Sequence, residues 1–236
     1  MQGQVGRPGP RDSEADVSDP RARARELARD AIARGDPTGW FEQLYAESER
    51  DGFAISWVDL APNPYLVAWL GRQSIPPRGR ALVIGCGYGD DAELLADRGL
   101  EVTAFDIAPS AVARCRSRFP DSRVQYLIAD ALTPPADWVA AFDFIFDAYT
   151  IQVLRGEART ACARSIGRLV APDGRLLVVA RSREEDDPVG AMPWPLTRLE
   201  LDAFGRPGLD LASLVELVEP GDPPVPRFVA EFVARD

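Results

Sequence analysis

The chain has 236 residues, a length that suits one α/β domain with appendages, and 46% of them are hydrophobic, ample for a core. Its formal net charge of −10 argues against a nucleic-acid or anionic-membrane partner, because a phosphate-rich surface needs a basic face. It contains no histidine and no lysine, which removes the commonest general base and metal ligand and excludes a lysine-dependent phosphate loop; no metal site is expected.

In chain order, Met1 to Pro20 is rich in Gly, Pro, Arg and Asp and reads as a disordered tail. Residues 21–34 allow a helix with a weak apolar face and solvated arginines, so 1–35 is expected to be a disordered or weakly helical tail. Pro37 to Glu49 places Trp40, Phe41, Leu44 and Tyr45 at helical spacing, and Gly52 breaks the pattern. Asn63-Pro64 starts another helix carrying Tyr65, Leu66, Val67, Trp69 and Leu70. These elements make 36–75 a helical cap that precedes the first strand.

From Arg80 onward strands alternate with helices: strands at 80–84, 101–105, 124–128, 142–146 and 175–180, helices at 90–98, 109–119 and 157–170. Alternation at these lengths implies a parallel sheet with right-handed crossovers, here spanning 80–181. The remainder, 182–236, holds a charged loop at 182–188, a helical stretch at 196–204 and two apolar runs at 211–218 and 225–233. An antiparallel pair completing the sheet is the simplest arrangement for those runs. The three cysteines, Cys86, Cys115 and Cys162, are scattered and suit reduced thiols in the cytoplasm. No apolar run reaches the length of a membrane span and no signal peptide is visible.

The chemistry is concentrated in Ala81-Leu-Val-Ile-Gly-Cys-Gly-Tyr-Gly-Asp-Asp91 and Val102-Thr-Ala-Phe-Asp106. A buried strand runs into a turn with glycines at 85, 87 and 89, where a Cβ would block a ligand from the backbone. Asp106, at the end of the next strand, is placed to accept hydrogen bonds from a ribose diol. A dinucleotide fits poorly. The last glycine of its fingerprint is replaced by Asp90, and Asp90 with Asp91 would repel a diphosphate at the helix N-terminus. A zwitterionic amino acid bearing a sulfonium brings positive charge to this acidic mouth, which points to S-adenosyl-L-methionine.

The ordered set of the glycine turn, Asp106, Ala129-Asp-Ala131 and Phe142-Asp-Phe-Ile-Phe-Asp147 resembles a class I S-adenosylmethionine-dependent methyltransferase over roughly residues 37 to 234. Gly39-Trp-Phe-Glu-Gln-Leu-Tyr45, Trp57 and Pro62-Asn-Pro-Tyr-Leu66 are similar to the entry region of the thiopurine and halide/thiol methyltransferase group. Phe146-Asp-Ala-Tyr-Thr150 and Pro193-Trp-Pro-Leu196 add weaker support. The resemblance implies an α/β fold: Rossmann-like, doubly wound, a mostly parallel seven-stranded sheet with an antiparallel last strand and an N-terminal helical cap. It implies that Gly85, Gly87 and Gly89 admit the methionyl part of the cofactor and that Asp106 holds the ribose. Ile107 then packs on the adenine, Asp130 and Ala131 face its amino edge, Asp147 lies beside the methionyl part, and Trp40 closes over the cofactor. Acceptor-binding positions fall on Tyr45, Trp57, Tyr149 and Arg181. Arg181 holds an anionic acceptor or pairs with the Glu184–Asp187 run. Trp40 and Trp57 also read as cap core, Asp130 as a helix cap and Asp147 as a loop-capping carboxylate.

Methyl transfer from a sulfonium needs alignment more than acid–base work, and a thiol acceptor needs least. The expected activity is therefore methylation of a small molecule, with a thiol or other sulfur favoured. Asp147 and Tyr149 are the candidates if a catalytic base is used. Nitrogen, oxygen and halide acceptors remain open, as do a nicotinamide-dependent oxidoreductase, a nucleic-acid amino-methyltransferase suggested by Asn63-Pro-Tyr65, and a non-catalytic cofactor-binding protein. The sequence does not reveal an oligomeric state.

Overall fold

In the computed structural model, which describes residues 21–72, 79–221 and 223–235, seven strands form one sheet in the order β3-β2-β1-β4-β5-β7-β6. The strands β1 (Arg80–Ile84), β2 (Glu101–Asp106), β3 (Gln125–Ile128), β4 (Phe142–Ala148) and β5 (Val170–Arg181) pair in parallel. β7 (Val225–Ala234) lies antiparallel to β5, and β6 (Leu209–Glu219) pairs antiparallel with β7 at the edge. This is the doubly wound, mostly parallel sheet with an antiparallel final strand that the resemblance implies. The tail expected over Met1 to Pro20 lies outside the described residues.

Each inner strand is apolar on both sides because both sides are covered. Leu82 and Ile84 of β1 pack in one layer with Cys162 and Ile166 of α6 (Gly156–Gly167). Ala81 and Val83 pack in the other with Leu95 of α4 (Asp90–Asp97) and Val112 of α5 (Pro109–Arg118). The chain winds outward from β1 to β3, then returns to place β4 on the other side of β1. Ligands of such sheets bind at the carboxyl ends of the strands beside that reversal.

Three boundaries differ from the sequence pattern. Helix α6 ends at Gly167, and residues 170–174 enter β5. The pairing with β4 jumps from Phe142↔Val170 to Phe144↔Arg175, so Pro172-Asp173-Gly174 bulges out, with Asp173 at φ +59°. The helical stretch at 196–204 is one short turn, α7 (Arg198–Leu201), started by a Thr197/Glu200 capping box and followed by a 3₁₀ turn. The N-terminal elements also separate. α3 (Pro64–Leu70) belongs to the sheet layer, where Trp69 stacks on Phe144 with ring centroids 4.8 Å apart.

The cap proper is α1 (Ala22–Ala33) against α2 (Trp40–Asp51). Residues 22–33 are thus no tail: Ala24, Leu27, Ala28 and Ala31 are buried, and Arg23 grips Glu47 of α2 through two hydrogen bonds of 2.8 and 2.6 Å. That guanidinium holds the Glu47 carboxyl down at about 2. The arginines of α1 are accordingly more than a solvated face. α2 in turn is fastened to the α/β core by Glu42, whose carboxylate accepts from the Ser110 amide and hydroxyl at 2.9 and 2.7 Å, in the first turn of α5. An anion there complements the helix N-terminus.

Candidate functional site

β1 ends in Ile84, and the chain turns through Gly85, Gly87 and Gly89, all with positive φ (59°, 52° and 93°). The three have different reasons for being glycine. A Cβ on Gly85 would collide with Thr150 Oγ1, while one on Gly89 would come within 2.6 Å of Tyr126 Oη. Gly87 alone looks onto open space, with Tyr45 Oη 3.5 Å from the position of a Cβ. Asp106 at the end of β2 ties this turn in place. Its Oδ2 accepts from the Gly87 amide and its Oδ1 from the Ala108 amide, both at 3.0 Å. Burial raises its pKa to about 6 against the opposing effect of these donors.

The turn opens on a cavity of about 430 Å³, within the range of small-molecule sites. Its walls include Gly85, Gly87, Asp106, Ile107, Asp130 and Ala131 on the β1–β3 side, and Tyr45, Trp57, Tyr149 and Arg181 on the cap and β4–β5 side. Trp57 Nε1 donates to Tyr45 Oη at 3.2 Å, fixing both rings. Asp130 Oδ1 accepts from the Leu132 amide at 2.8 Å, which makes it a turn-capping carboxylate as well as a cavity residue. Tyr149 is held in the left-handed region at φ +65°, its amide donating to Val179 O, with the Arg227 guanidinium 4.8 Å from its ring centroid. A bulky residue in that region is strained, and such strain clusters at working sites.

Three of the sequence-predicted residues stand apart from the cavity wall. Trp40 is 2% exposed, stacks on Phe41 at 3.8 Å and donates its Nε1 hydrogen to Pro37 O, so it is cap core; Phe41 reaches the wall instead. Gly89 faces the packing of α4 on Tyr126 and Cys115. Asp147 is fully buried on the α6 side of β4. Neither of its oxygens makes a hydrogen bond of good geometry among the described residues, the nearby Thr150 hydroxyl donating to Ile84 O, and desolvation raises its pKa to about 7 against the opposing effect of Thr150 and the Ile151 amide. It is sealed off from anything in the cavity.

The acidic pair that follows the turn divides. Asp90 faces α5 and is neutralised by two hydrogen bonds from Arg118, at 2.7 and 2.9 Å. Asp91 lines the cavity, accepts from the Asn63 amide at 2.6 Å and is raised to about 6 by burial. Asn63 also caps α3 through Oδ1 and the Tyr65 amide, so Asn63-Pro64 is a helix start, as its sequence indicates, rather than an amino-methylating motif. The β1–β3 end of the cavity therefore carries Asp91, Asp106 and Asp130.

The other end is basic. Arg21, Arg181 and Arg227 line it. Arg227 is paired with Glu219, which also accepts from Tyr65 Oη at 2.6 Å. Arg181 makes no ion pair or side-chain hydrogen bond among the described residues; its backbone is engaged, the amide donating to Gln152 Oε1 at 2.9 Å and the carbonyl accepting from the Leu196 amide at 2.8 Å. The Glu184–Asp187 run turns on itself, around Arg183 and the Glu184 amide, and leaves Arg181 alone. Burial, then the charges of Arg21, Arg227 and Arg25, lower the Arg181 pKa. Burial raises the Tyr149 pKa, so its phenol stays neutral. Arg21, Arg227 and Glu219 escaped the sequence reading. Each lies remote from the glycine turn: the β5–β7–β6 register brings Arg227 and Glu219 to Arg181, and Arg21 arrives from the start of α1.

No group of His, Cys, Asp and Glu suited to a metal ion occurs among the described residues, and no described helix is long and apolar enough to cross a membrane. A family model described as a methyltransferase domain matches residues 81–174. The chain is 29% identical over 188 residues to a probable thiol methyltransferase 2 of Arabidopsis thaliana, covering 75% of this chain and 81% of that protein. It is 31% identical over 125 residues to thiocyanate methyltransferase 1 of the same plant, covering 52% of this chain and 55%, about half, of that relative's length. Among solved structures, an N-methyltransferase of Bradyrhizobium japonicum in complex with S-adenosyl-L-homocysteine shares the fold at a TM-score of 0.63 and 19% identity, covering 81% of this chain and 98% of the other.

Proposed function

We propose that the chain is a class I S-adenosylmethionine-dependent methyltransferase and that it moves the methyl group of that cofactor, in line, onto the sulfur of a small-molecule thiol, a reading that the methyltransferase-domain match and the thiol methyltransferase relative support. When bound, the cofactor supplies a methyl group on a sulfonium that is already an activated leaving group. The residues of the acidic end fit it. Gly87 leaves its backbone open to the methionyl part. Each Asp106 oxygen accepts one amide and keeps a lone pair for the ribose diol. Ile107 packs on the adenine, and Asp130 with Ala131 meets its amino edge. The carboxylates of Asp91, Asp106 and Asp130 favour a cationic guest. Phe41 closes the cap side in place of Trp40, and Tyr45 and Trp57 form an aromatic wall that excludes water.

The observation that carries the sulfur assignment is the state of the groups on the acceptor side. Of Tyr149, Glu219 and Asp147, none is poised to remove a proton. Tyr149 is held neutral. Glu219 is engaged by Arg227 and Tyr65, and its pKa is lowered. Asp147 is walled off. An alcohol would need a base there, whereas a thiol with pKa near 8.5 is partly thiolate at neutral pH and needs alignment alone. Alignment supplies roughly 7–11 kcal/mol in well-oriented reactions. The likeness to thiol and thiocyanate methyltransferases supports the same acceptor class. Three buried free thiols suit a reducing, cytoplasmic setting.

The test is incubation with methyl-labelled cofactor and matched panels of thiols, amines and phenols. Label is expected on thiols, with a rate that rises as the thiol titrates. Label on amines or phenols alone would overturn the sulfur assignment, and tight cofactor binding with no acceptor labelled would favour a non-catalytic binder.

A further inference from the structure

Arg181 poses a question that methyl transfer alone does not answer. Its half-buried guanidinium looks into the cavity with no partner among the described residues. It sits directly opposite Arg227 in the β5–β7 register, and like charges in facing positions destabilise a sheet. The charges of Arg21 and Arg25 act on it as well. The carboxylate beside this group, Glu219, is already bound by Arg227 and Tyr65, and Asp59 on the same wall forms no ion pair with it. Arg181 is therefore left without an ion-pair partner among the described residues.

We propose that the acceptor carries a carboxylate, separate from the sulfur that is methylated, and that Arg181, backed by Arg227, binds it. The planar fork of a guanidinium matches a carboxylate in two parallel hydrogen bonds. The position suits the acceptor rather than the cofactor. Asp106 lies on β2 and the glycine turn follows β1, whereas Arg181 ends β5, two to three strands further across the sheet. At about 4.8 Å per strand, that separation is roughly 10–14 Å. Tyr149, directly after β4, stands between them with Arg227 against its ring. An acceptor spanning from Arg181 towards the turn would present its thiol near Tyr149.

This inference rests on the thiol reading for the identity of the methylated atom but is tested by binding. Mercaptoacetate and mercaptoethanol, which differ in a carboxylate against a hydroxyl, are titrated calorimetrically into protein saturated with S-adenosyl-L-homocysteine. Wild type should bind the carboxylate about 10–100-fold more tightly, the range expected for hydrogen bonds to a charged group. Arg181→Gln should abolish that preference, Arg181→Lys should restore part of it, and the affinity for S-adenosyl-L-homocysteine should stay unchanged in both. The Arg181 side chain makes no hydrogen bond among the described residues, and melting curves verify that the variants fold. Equal binding of the two ligands by wild type overturns the proposal. So does weakened S-adenosyl-L-homocysteine binding in Arg181→Gln, which would assign the arginine to the cofactor's own carboxylate. If the carboxylate preference stands while neither thiol is methylated, the thiol reading fails and the anion site remains.

Discussion

The two ends of the cavity are built on opposite plans. At the acidic end every group comes from one continuous stretch, β1 to the turn after β3, and backbone amides hold the side chains: Gly87 and Ala108 on Asp106, Leu132 on Asp130. At the basic end Arg21, Tyr149, Arg181, Glu219 and Arg227 come from five separate segments; Arg227 pairs with Glu219 and lies against the Tyr149 ring, while the Arg181 guanidinium makes no ion pair or hydrogen bond among the described residues. The first plan fixes geometry through local turns and suits a cofactor that does not vary. The second permits each contributing loop to change alone and suits an acceptor that does. Asp147 on β4 lies at the border and belongs to neither.

The largest effect should come from that border. Asp147 titrates ordinarily at 3.8 and is raised to about 7 in the folded protein. The folded state then binds the extra proton, so stability falls as pH rises from about 4 to 7. Asp147→Asn removes this penalty and should stabilise the protein at pH 8 by up to roughly 4 kcal/mol, with little change at pH 4. Urea unfolding at the two pH values reads it. The same pH slope in variant and wild type would mean that Asp147 is hydrated or paired, and the border would dissolve into one of the ends.

Gly85→Ala breaks the acidic end alone. A left-handed φ of 59° costs an L residue roughly 1–3 kcal/mol, and the added methyl meets Thr150. Binding of S-adenosyl-L-homocysteine should be lost while the cap still folds; near wild-type affinity would show that the turn is not the cradle. Asp106→Ala sharpens the same end. Losing a charged hydrogen-bond acceptor should weaken the cofactor by about 1–3 kcal/mol, read by calorimetry, and unchanged affinity would remove Asp106 from the ribose.

The smallest effect belongs to the basic end. Arg23→Ala frees α1, which brings Arg21 to the cavity, from Glu47. With Arg23 partly exposed, its removal should cost no more than about 1 kcal/mol by thermal unfolding. Because Glu47 is depressed to about 2, this contribution is present above its ordinary value of 4.5 and fades as pH falls toward 2. Acceptor affinity should drop and cofactor affinity should not; a loss of cofactor affinity would mean that the ends are coupled.

The contrast also explains what the sequence disclosed. Gly85, Gly87 and Asp106 follow from local spacing, since each turn is specified within a few residues of its strand, whereas Asp130 and the doubly wound strand order are what the family resemblance implies. Arg227 and Glu219 are invisible to such reasoning, because their nearness to Arg181 depends on register across two antiparallel pairings. Trp40 and Phe41 differ by one helical position, about a hundred degrees of rotation. The pattern marks both as apolar, and only the packing of α1 on α2 decides that Trp40 turns inward. Asp147 ends a strand at the expected site, but the pleat sends its side chain toward α6 rather than into the cavity.

The division into a cofactor end and an acceptor end is tested most directly by a crystal structure of the complex with S-adenosyl-L-homocysteine. The account predicts the ribose hydroxyls on Asp106 and the sulfur directed toward Tyr149, with Arg181 left free. A ribose without contact to Asp106, or a homocysteine carboxylate seated on Arg181, would contradict it.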